Sequence, residues 1–389
     1  MQKRFTPDAG GVFPEWEEKT IEEACNVNVS NGTPGDKFIY IELGDVNKYG
    51  LLKRKNLVRK NEAPVSAKRV AKIDDVFFRS VRPGNKGHFH YTNEMSEQVV
   101  MSSAFFQLSM KDGDNEFLYQ TLNTQYFTKQ VLTRCTGTTY PTISLNEFIK
   151  LKIKIPKSME EQRKIAAALA AYDEMIAVKT AKLETWQECK KRMVKEIFGR
   201  TKRFRDDDGN EFPEWGEKML GEVCKYGNTH KTGKNYINVE NMNKDFSGVT
   251  FLEPSLERKG IVYDVGDVLM SNIRPYLRKA WLADRSGICD SDVLVFHLKD
   301  GVDIDSTFLY YTIASSELVK WAMIGARGTK MPRCDKQHLM EKRIFLPCKE
   351  EQQKIGSFLA EIDKEIEIQK EFIKTYAEGK KRMMRELME

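Results

Sequence analysis

The residues that could do chemistry in this chain are few, and none closes a catalytic set. His88-Phe-His90 carries two imidazoles at a spacing that suits metal binding, but no third ligand is evident. A strand with alternating His is the plainer reading. Glu17-Glu18-Lys19 has nuclease-like spacing, yet the matching Gly216-Glu217-Lys218 further along loses its first acid. Gly227-Asn-Thr-His-Lys-Thr-Gly-Lys-Asn approaches a phosphate-binding loop. Five residues separate its glycines, however, and Asn stands where Ser or Thr must hold magnesium. No Asn-Pro-Pro-Tyr-type motif is present for methyl transfer to an amine, and no Gly-rich loop for a methyl donor. The seven Cys are scattered, odd in number and without CxxC, which favours a reducing cytoplasm and argues against zinc. No metal is expected.

What remains is chemistry that binds. Basic residues fall among aromatics at Lys53, Arg54, Lys55, Arg59 and Lys60. They do so again at Lys225, Tyr226, His230, Lys231, Lys234 and Tyr236, and at Arg274, Tyr276, Arg278 and Lys279. Any one such cluster reads as a solvated face; recurrence in both halves favours a polyanion. Asp75-Val-Phe-Phe-Arg-Ser-Val-Arg-Pro and Asp267-Val-Leu-Met-Ser-Asn-Ile-Arg-Pro match, so Arg82 and Arg274 coincide, each before a Pro. At a strand end such an Arg could contact a phosphate or a base edge, or pair with Asp75 or Asp267. Gly137-Thr-Thr-Tyr-Pro and Gly328-Thr-Lys-Met-Pro are tight turns whose amides and hydroxyls could also hold a phosphate. Cys25 and Cys224 occupy matching positions and read as small core residues.

The elements that position these groups come in pairs. Arg4 to Cys25 and Arg203 to Cys224 align without a gap, with 12 identities in 22 positions. Glu160 to Phe198 and Glu350 to Met388 align likewise, with 16 identities in 39. Such gapless matches around diverged inserts describe one device used twice. The second matched segments are long helices. Ile165, Leu169, Tyr172, Ile176, Lys179, Leu183, Trp186, Lys190, Met193 and Ile197 step by fours and threes. So do Ile355, Leu359, Ile362, Ile366, Gln369, Ile373, Tyr376, Lys380, Met383 and Leu387. This is a coiled-coil seam over about four heptads, with polar breaks at matching places. Ser158-Met-Glu-Glu161 offers a capping box at the first helix start, and Gly199 suits the residue past its end. Two helices of about 60 Å in one chain most economically pair antiparallel.

The spacing predicts four segments: a first α/β domain over 1–156, a long helix over 157–199, a polar linker with a second domain over 200–347, and a second long helix over 348–389. The fold class is α/β (α+β), with strands at Lys37–Val46, Asp75–Phe78, Asn235–Met242, Asp267–Met270 and Ser291–Leu298, and single helices near 117–129 and 307–323. The net charge is +6. The long-helix segments 158–198 and 350–389 carry +1 and −2, so the excess lies in the inserts. No apolar run reaches membrane-span length, and the N-terminus lacks a secretory h-region.

The whole pattern resembles the DNA specificity subunit of type I restriction-modification systems. The resemblance rests on Phe212-Pro-Glu-Trp-Gly-Glu-Lys-Met-Leu-Gly-Glu-Val-Cys, Ser30-Asn-Gly-Thr-Pro, Gly266-Asp-Val-Leu-Met-Ser-Asn-Ile-Arg-Pro-Tyr-Leu-Arg-Lys and Ser291-Asp-Val-Leu-Val-Phe. It rests also on Pro347 with Glu350-Glu-Gln-Gln-Lys-Ile, and Pro156 with Glu160-Glu-Gln-Arg-Lys-Ile. It implies two target recognition domains, each reading one half of a split double-stranded DNA site. Two long helices would join them and dock two methyltransferase subunits, with restriction (translocase/nuclease) subunits added. S-adenosylmethionine and ATP would belong to those partners, none to this cytoplasmic chain. Candidate DNA contacts are Asn31, Thr33, Lys37, Arg79, Arg82, Lys86, Thr138, Thr139 and Tyr140 in the first half. In the second they are His230, Lys231, Lys234, Tyr236, Arg274, Tyr276, Arg278, Arg327, Thr329, Lys330 and Arg333. Seam candidates are Ile165, Leu169, Ile176, Leu183, Ile355, Leu359, Ile366 and Ile373. In the first copy Gly266-Asp267 becomes Asp74-Asp75, and Ser-Asn-Ile becomes Ser80-Val-Arg, so that domain is expected to read a different half-site by partly different contacts. The alternatives are a fused methyltransferase-nuclease with unfamiliar motifs, or a two-headed protein-binding scaffold.

Overall fold

The computed structural model describes residues 4–29, 31–251 and 257–389. Ser30 of the Ser-Asn-Gly-Thr-Pro motif therefore lies outside the described residues. The chain forms two units, 1–182 with 369–389 and 183–368. The boundaries fall inside two 40-residue helices, α1 (Met159–Phe198) and α2 (Lys349–Met388).

In the first unit a central antiparallel sheet runs Cys25–Val27, Phe105–Met110, Val76–Arg79, Phe89–His90. Its apolar side packs under the helices Asn115–Leu122 and Gln125–Thr133, where Phe78, Phe106, Phe127 and Phe148 meet ring to ring. A second sheet runs Asn56–Arg59, Lys37–Ile41, Val99–Ser102, Ala67–Val70, with its middle pair parallel. A two-stranded ribbon, Glu17–Thr20 with Lys152–Ile155, leads into α1.

The second unit repeats the ribbon, as Gly216–Met219 with Arg343–Leu346, and the central sheet, as Cys224–Tyr226, Val293–Leu298, Val268–Ser271, Ala280–Leu282. Its other sheet also holds one parallel pair, Tyr236–Ile237 with Gly287–Cys289, but the edge strand His230–Gly233 is added on Arg258–Tyr263. The strand expected over Asn235–Met242 shrinks to two residues. Asn235 has φ +54, and the Asn238 side chain accepts from the Glu240 and Asn241 amides, bending the chain into a turn. The helices expected near 117–129 and 307–323 are each two helices. Thr124 and Ser315 cap a fresh helix start there, accepting from the Phe127 and Leu318 amides.

Each unit closes its core with both long helices, running antiparallel. In the first, Ile165 and Leu169 near the start of α1 share a cluster with Met384, Leu387 and Met388 at the end of α2. In the second, Met193 and Ile197 share one with Ile355, Leu359, Ile362 and Ile366. Ile176 and Ile373 are buried as well, and Leu183 is half-buried. Two of the four polar breaks are ion pairs, while Lys179 lies over the Phe372 ring and Gln369 is buried. Lys380 reaches Asp173 at 2.6 Å, and Lys190 reaches Asp363 at 2.5 Å. Where Gly379 lies against the Tyr172 ring, a Cβ would sit 2.9 Å from it, and the twins in the second unit are Cys189 and Ile362.

The capping box expected at Ser158 is only half present. The Ser158 hydroxyl accepts weakly from the Glu161 amide at 3.5 Å, but the Glu161 carboxylate turns to Arg4. At the other end of α1 the left-handed residue is Arg200, φ +58, rather than Gly199. Gly199 is needed because a Cβ there would meet the Lys195 carbonyl at 2.6 Å.

Candidate nucleic-acid interface

The same small assembly occurs once in each unit, beginning where the central strand ends. Arg82 (φ +49, ψ +54) and Arg274 (φ +50, ψ +58) sit in left-handed conformation before a Pro and a 3-10 turn, Pro83–Asn85 or Pro275–Leu277. Such a conformation costs a residue with a Cβ about 1–3 kcal/mol and persists only when its surroundings impose it. The surroundings are a loop clipped to the turn. The Arg82 amide donates to the Pro141 carbonyl, and the Arg274 amide to the Pro332 carbonyl, both at 2.7 Å. Bridges Val81–Thr142 and Ile273–Arg333 add a second clip, and Thr136–Thr142 and Arg327–Arg333 close the neck of each loop. Gly137 (φ +87) and Gly328 (φ +94) begin the tip, and Thr138, Thr139, Tyr140, Thr329, Lys330 and Met331 stand exposed on it.

The side chains around the two arginines differ. Arg82 lies on the Tyr140 ring, 3.9 Å from its centroid, and donates to the Thr139 carbonyl at 3.2 Å. In the second unit Met331 and Lys330 stand at the sequence positions of Tyr140 and Thr139, and the Arg274 Nε is buried without a hydrogen-bond partner. The exposed tyrosine of this unit, Tyr276, stands on the turn itself, where the first unit has Gly84. Arg278, also left-handed at φ +56, donates to the Ser316 hydroxyl and lies over the Phe246 ring.

Neither arginine pairs with the repeated aspartate. Asp75 accepts from the Lys72 amide, Gln107 and Asn31, and Asp267 accepts from the Asp264 amide and His297. Burial pushes both carboxyls above the usual aspartate range, and these hydrogen bonds oppose it. Asn31 is therefore tied to Asp75 rather than free. Two further candidates turn inward. Lys86 donates to the Asn123 and Thr124 carbonyls and the Thr128 hydroxyl, and burial lowers its pKa to about 8. Arg79 donates to the Val81 and Leu43 carbonyls, and burial lowers its pKa also. Both hold the fold beneath the turn.

The other candidates are spread. Thr33 is exposed, and Lys37 is exposed 3.8 Å from Glu97. His230, Lys231 and Lys234 are exposed, and Tyr236 donates to Asp290; these four lie on or beside the second sheet, away from the central strand that carries the turn. Arg327 and Arg333 are exposed but paired with Asp335 and Asp292. His88 and His90 do not converge. His88 is buried against Phe78, accepts from the Arg79 amide, and has its pKa driven far down by burial. His90 bridges Glu116 and Asp74 at 2.7 and 2.8 Å. Glu17 and Glu18 face Lys19 and Lys152 on the ribbon. Among the described residues no three His, Cys, Asp or Glu side chains are grouped to hold a metal, and no helix is long and apolar enough to cross a membrane.

The strongest sequence matches turn out to be scaffold. Arg4 and Arg203 reach the fully buried Glu161 and Glu351 at 2.9 Å, in the first turn of each long helix. The same guanidinium groups donate to the Pro14 and Pro213 carbonyls of Phe-Pro-Glu-Trp. Gln162 and Gln352 donate to the Pro156 and Pro347 carbonyls and accept from the Asp114 and Asp305 amides. Their signal was the repeat itself: a charged motif kept in both halves, at a helix start where carboxylates are favoured.

One scaffold occurs twice, and each copy carries the same Arg-Pro turn and clipped loop with a different tip. The family model described as the type I restriction modification DNA specificity domain matches residues 14–185 and 213–375, and the chain belongs to that family. It is similar to the type I restriction enzyme MjaVIII specificity subunit of Methanocaldococcus jannaschii, 26% identical over 317 residues, covering 76% of this chain and 74% of the relative. The MjaIX specificity subunit of the same organism is 22% identical over 373 residues, covering 87% and 85%. Among solved structures, the type I restriction-modification S subunit from M. genitalium matches with a TM-score of 0.60 at 14% identity, covering 99% of each chain. A chain from a study of complex assembly and conformational transition in a type I R-M system matches at 0.51 and 21%, covering 96% of this chain and 97% of that one. At these identities the structures establish the fold. The chain is a specificity subunit, a recognition component and not an enzyme.

Proposed function

We propose that each unit reads one half of a split double-stranded DNA site and that the chain presents this site to methyltransferase subunits docked on it, with restriction subunits joining that core. S-adenosylmethionine and ATP then belong to the partners. The seven unpaired thiols suit action in a reducing cytoplasm. The observation that carries this reading is the contrast within the repeat. The helix-start anchors and the clipped turn occur in both units, while the tip reads Thr-Thr-Tyr in one and Thr-Lys-Met in the other. Phosphates look alike along any duplex and base edges do not, so a common frame with divergent tips suits two different half-sites.

The test is methylation mapping by long-read sequencing in cells that carry this chain with its modification partners. The expected result is one motif in two parts separated by an unspecified spacer. A single continuous motif, or the same methylation in cells lacking this chain, contradicts it. Purified chain with labelled methyl donor is expected to transfer nothing to DNA.

A further inference from the structure

We infer that Arg82 and Arg274 are phosphate anchors, one per unit, and that the loop tips they clip, Thr138–Tyr140 and Thr329–Met331, set which bases each unit reads. This rests on the DNA-recognition reading above and assigns parts within it.

The two arginines agree in backbone conformation to within a few degrees, in a region disfavoured for side-chain-bearing residues. Both donate their amides to the proline that ends the tip. Pairing with the repeated aspartate does not account for the repeated arginine, since Asp75 and Asp267 take their hydrogen bonds from other groups. A group kept in place and in kind while its neighbours diverge suits a target that is the same in every sequence, which is the phosphate.

The tips behave oppositely. Their backbone is held by the same clips, but Thr139-Tyr140 is replaced by Lys330-Met331. That exchanges an aromatic face and a hydroxyl for a flexible thioether and an ammonium group. In the first unit the anchor and tip are one body, because the Arg82 guanidinium rests on Tyr140 and donates to Thr139. A phosphate held by Arg82 thereby fixes where the Tyr140 ring meets the duplex. The second basic residue of the turn is not a shared anchor. Lys86 is turned into backbone carbonyls and a threonine hydroxyl, while Arg278 donates to Ser316 and lies over Phe246.

The test uses the full chain, a mixed-sequence duplex and selection from randomised duplexes. Arg82→Ala and Arg274→Ala are each expected to weaken binding to the mixed-sequence duplex about tenfold. Each is expected to lower the salt slope by about one. Arg274→Ala is expected to leave every position of the selected motif in place, and Arg82→Ala, which also frees the Tyr140 ring, to loosen no more than the positions that the tip exchange alters. Arg82→Lys, which keeps the charge, is expected to recover most of the affinity. The double exchange Thr139→Lys with Tyr140→Met imports the tip that the second unit already carries, so folding is spared. It is expected to alter one half of the motif and leave the other unchanged. The assignment is overturned if Arg82→Ala keeps mixed-sequence affinity and slope but loses one motif position, with Lys failing to rescue. It is equally overturned if the tip exchange leaves the motif unchanged. Failure of the wild-type chain to select any motif is a different result and sinks the DNA reading itself.

Discussion

The two units hold an arginine in the same left-handed turn and surround it with different side chains. In the first, Arg82 is stacked on Tyr140 and Lys86 turns inward; in the second, Arg274 and Arg278 both keep an Nε without a partner, and Tyr276 on the turn is exposed. Along the long helices the units share a set of ion pairs. Arg4–Glu161 matches Arg203–Glu351, Lys164–Asp8 matches Lys354–Asp207, and Lys380–Asp173 matches Lys190–Asp363. The two copies share the parts that place the turn and loop and differ in the side chains these carry.

The largest effects come from breaking an anchor on one side only. Glu351 is fully buried and accepts from both Arg203 and Trp215, whereas the Trp16 indole N–H in the first unit has no partner. Glu351→Ala leaves the buried Trp215 indole N–H without its acceptor and takes charge-assisted hydrogen bonds from Arg203, which keeps Glu214, and is expected to cost about 3–5 kcal/mol. Glu161→Ala is expected to cost less, because it releases Arg4 alone. Denaturant unfolding followed by amide exchange in each unit separates the two; equal losses remove the asymmetry.

Next comes the seam. Ile176 and Ile366 are both buried, so Asp at either places a carboxylate in an apolar contact, at about 3 kcal/mol or more. Amide exchange is expected to rise in the unit that holds the mutation, and unchanged protection in that unit argues against a buried seam.

Smaller effects follow for the ion pairs. Lys190→Ala strands Asp363, which still accepts from Tyr311, and Lys380→Ala strands Asp173, which still accepts from Gln120. Each is expected to cost about 1–3 kcal/mol. Double-mutant cycles with Asp363→Ala and Asp173→Ala give the coupling, and a coupling near zero in both removes the pairs as a shared feature.

The smallest effect belongs to the first unit alone. Burial opposes charge on His90, but hydrogen bonds to Glu116 and Asp74 outweigh it and raise the pKa above its ordinary value of 6.5. A raised folded pKa stabilises fully below the unfolded value and is lost as pH rises through the folded one. The first unit is therefore expected to lose a little stability as pH climbs from below 6.5 past the raised value, and His90→Gln to abolish that slope. A slope that persists in the variant assigns it elsewhere.

Sequence alone made the repeat, the seam and the antiparallel helices legible, because gapless identity and a 3.5-residue period survive any choice of partner. It placed the Arg-Pro turn and the Gly-Thr tip but gave no sign that they clip together, since that contact joins residues about sixty apart through backbone groups that every residue carries. Charge misled at Arg79 and Lys86, where long side chains curl inward to carbonyls. The helix readings at 117–129 and 307–323 did not include the breaks at Thr124 and Ser315, which cap a second helix without Gly or Pro. The candidates in the first unit shrink to the loop tip, Arg82, Thr33 and Lys37 for these reasons.

The most direct measurement is an exchange of residues 219–346 for the matching segment of a relative with a different specificity, followed by methylation mapping of cells carrying the chimera with its partners. The expected result is a motif changed in one half only, with the other half as in the parent. A chimera that changes both halves, or neither, contradicts independent reading by the two units.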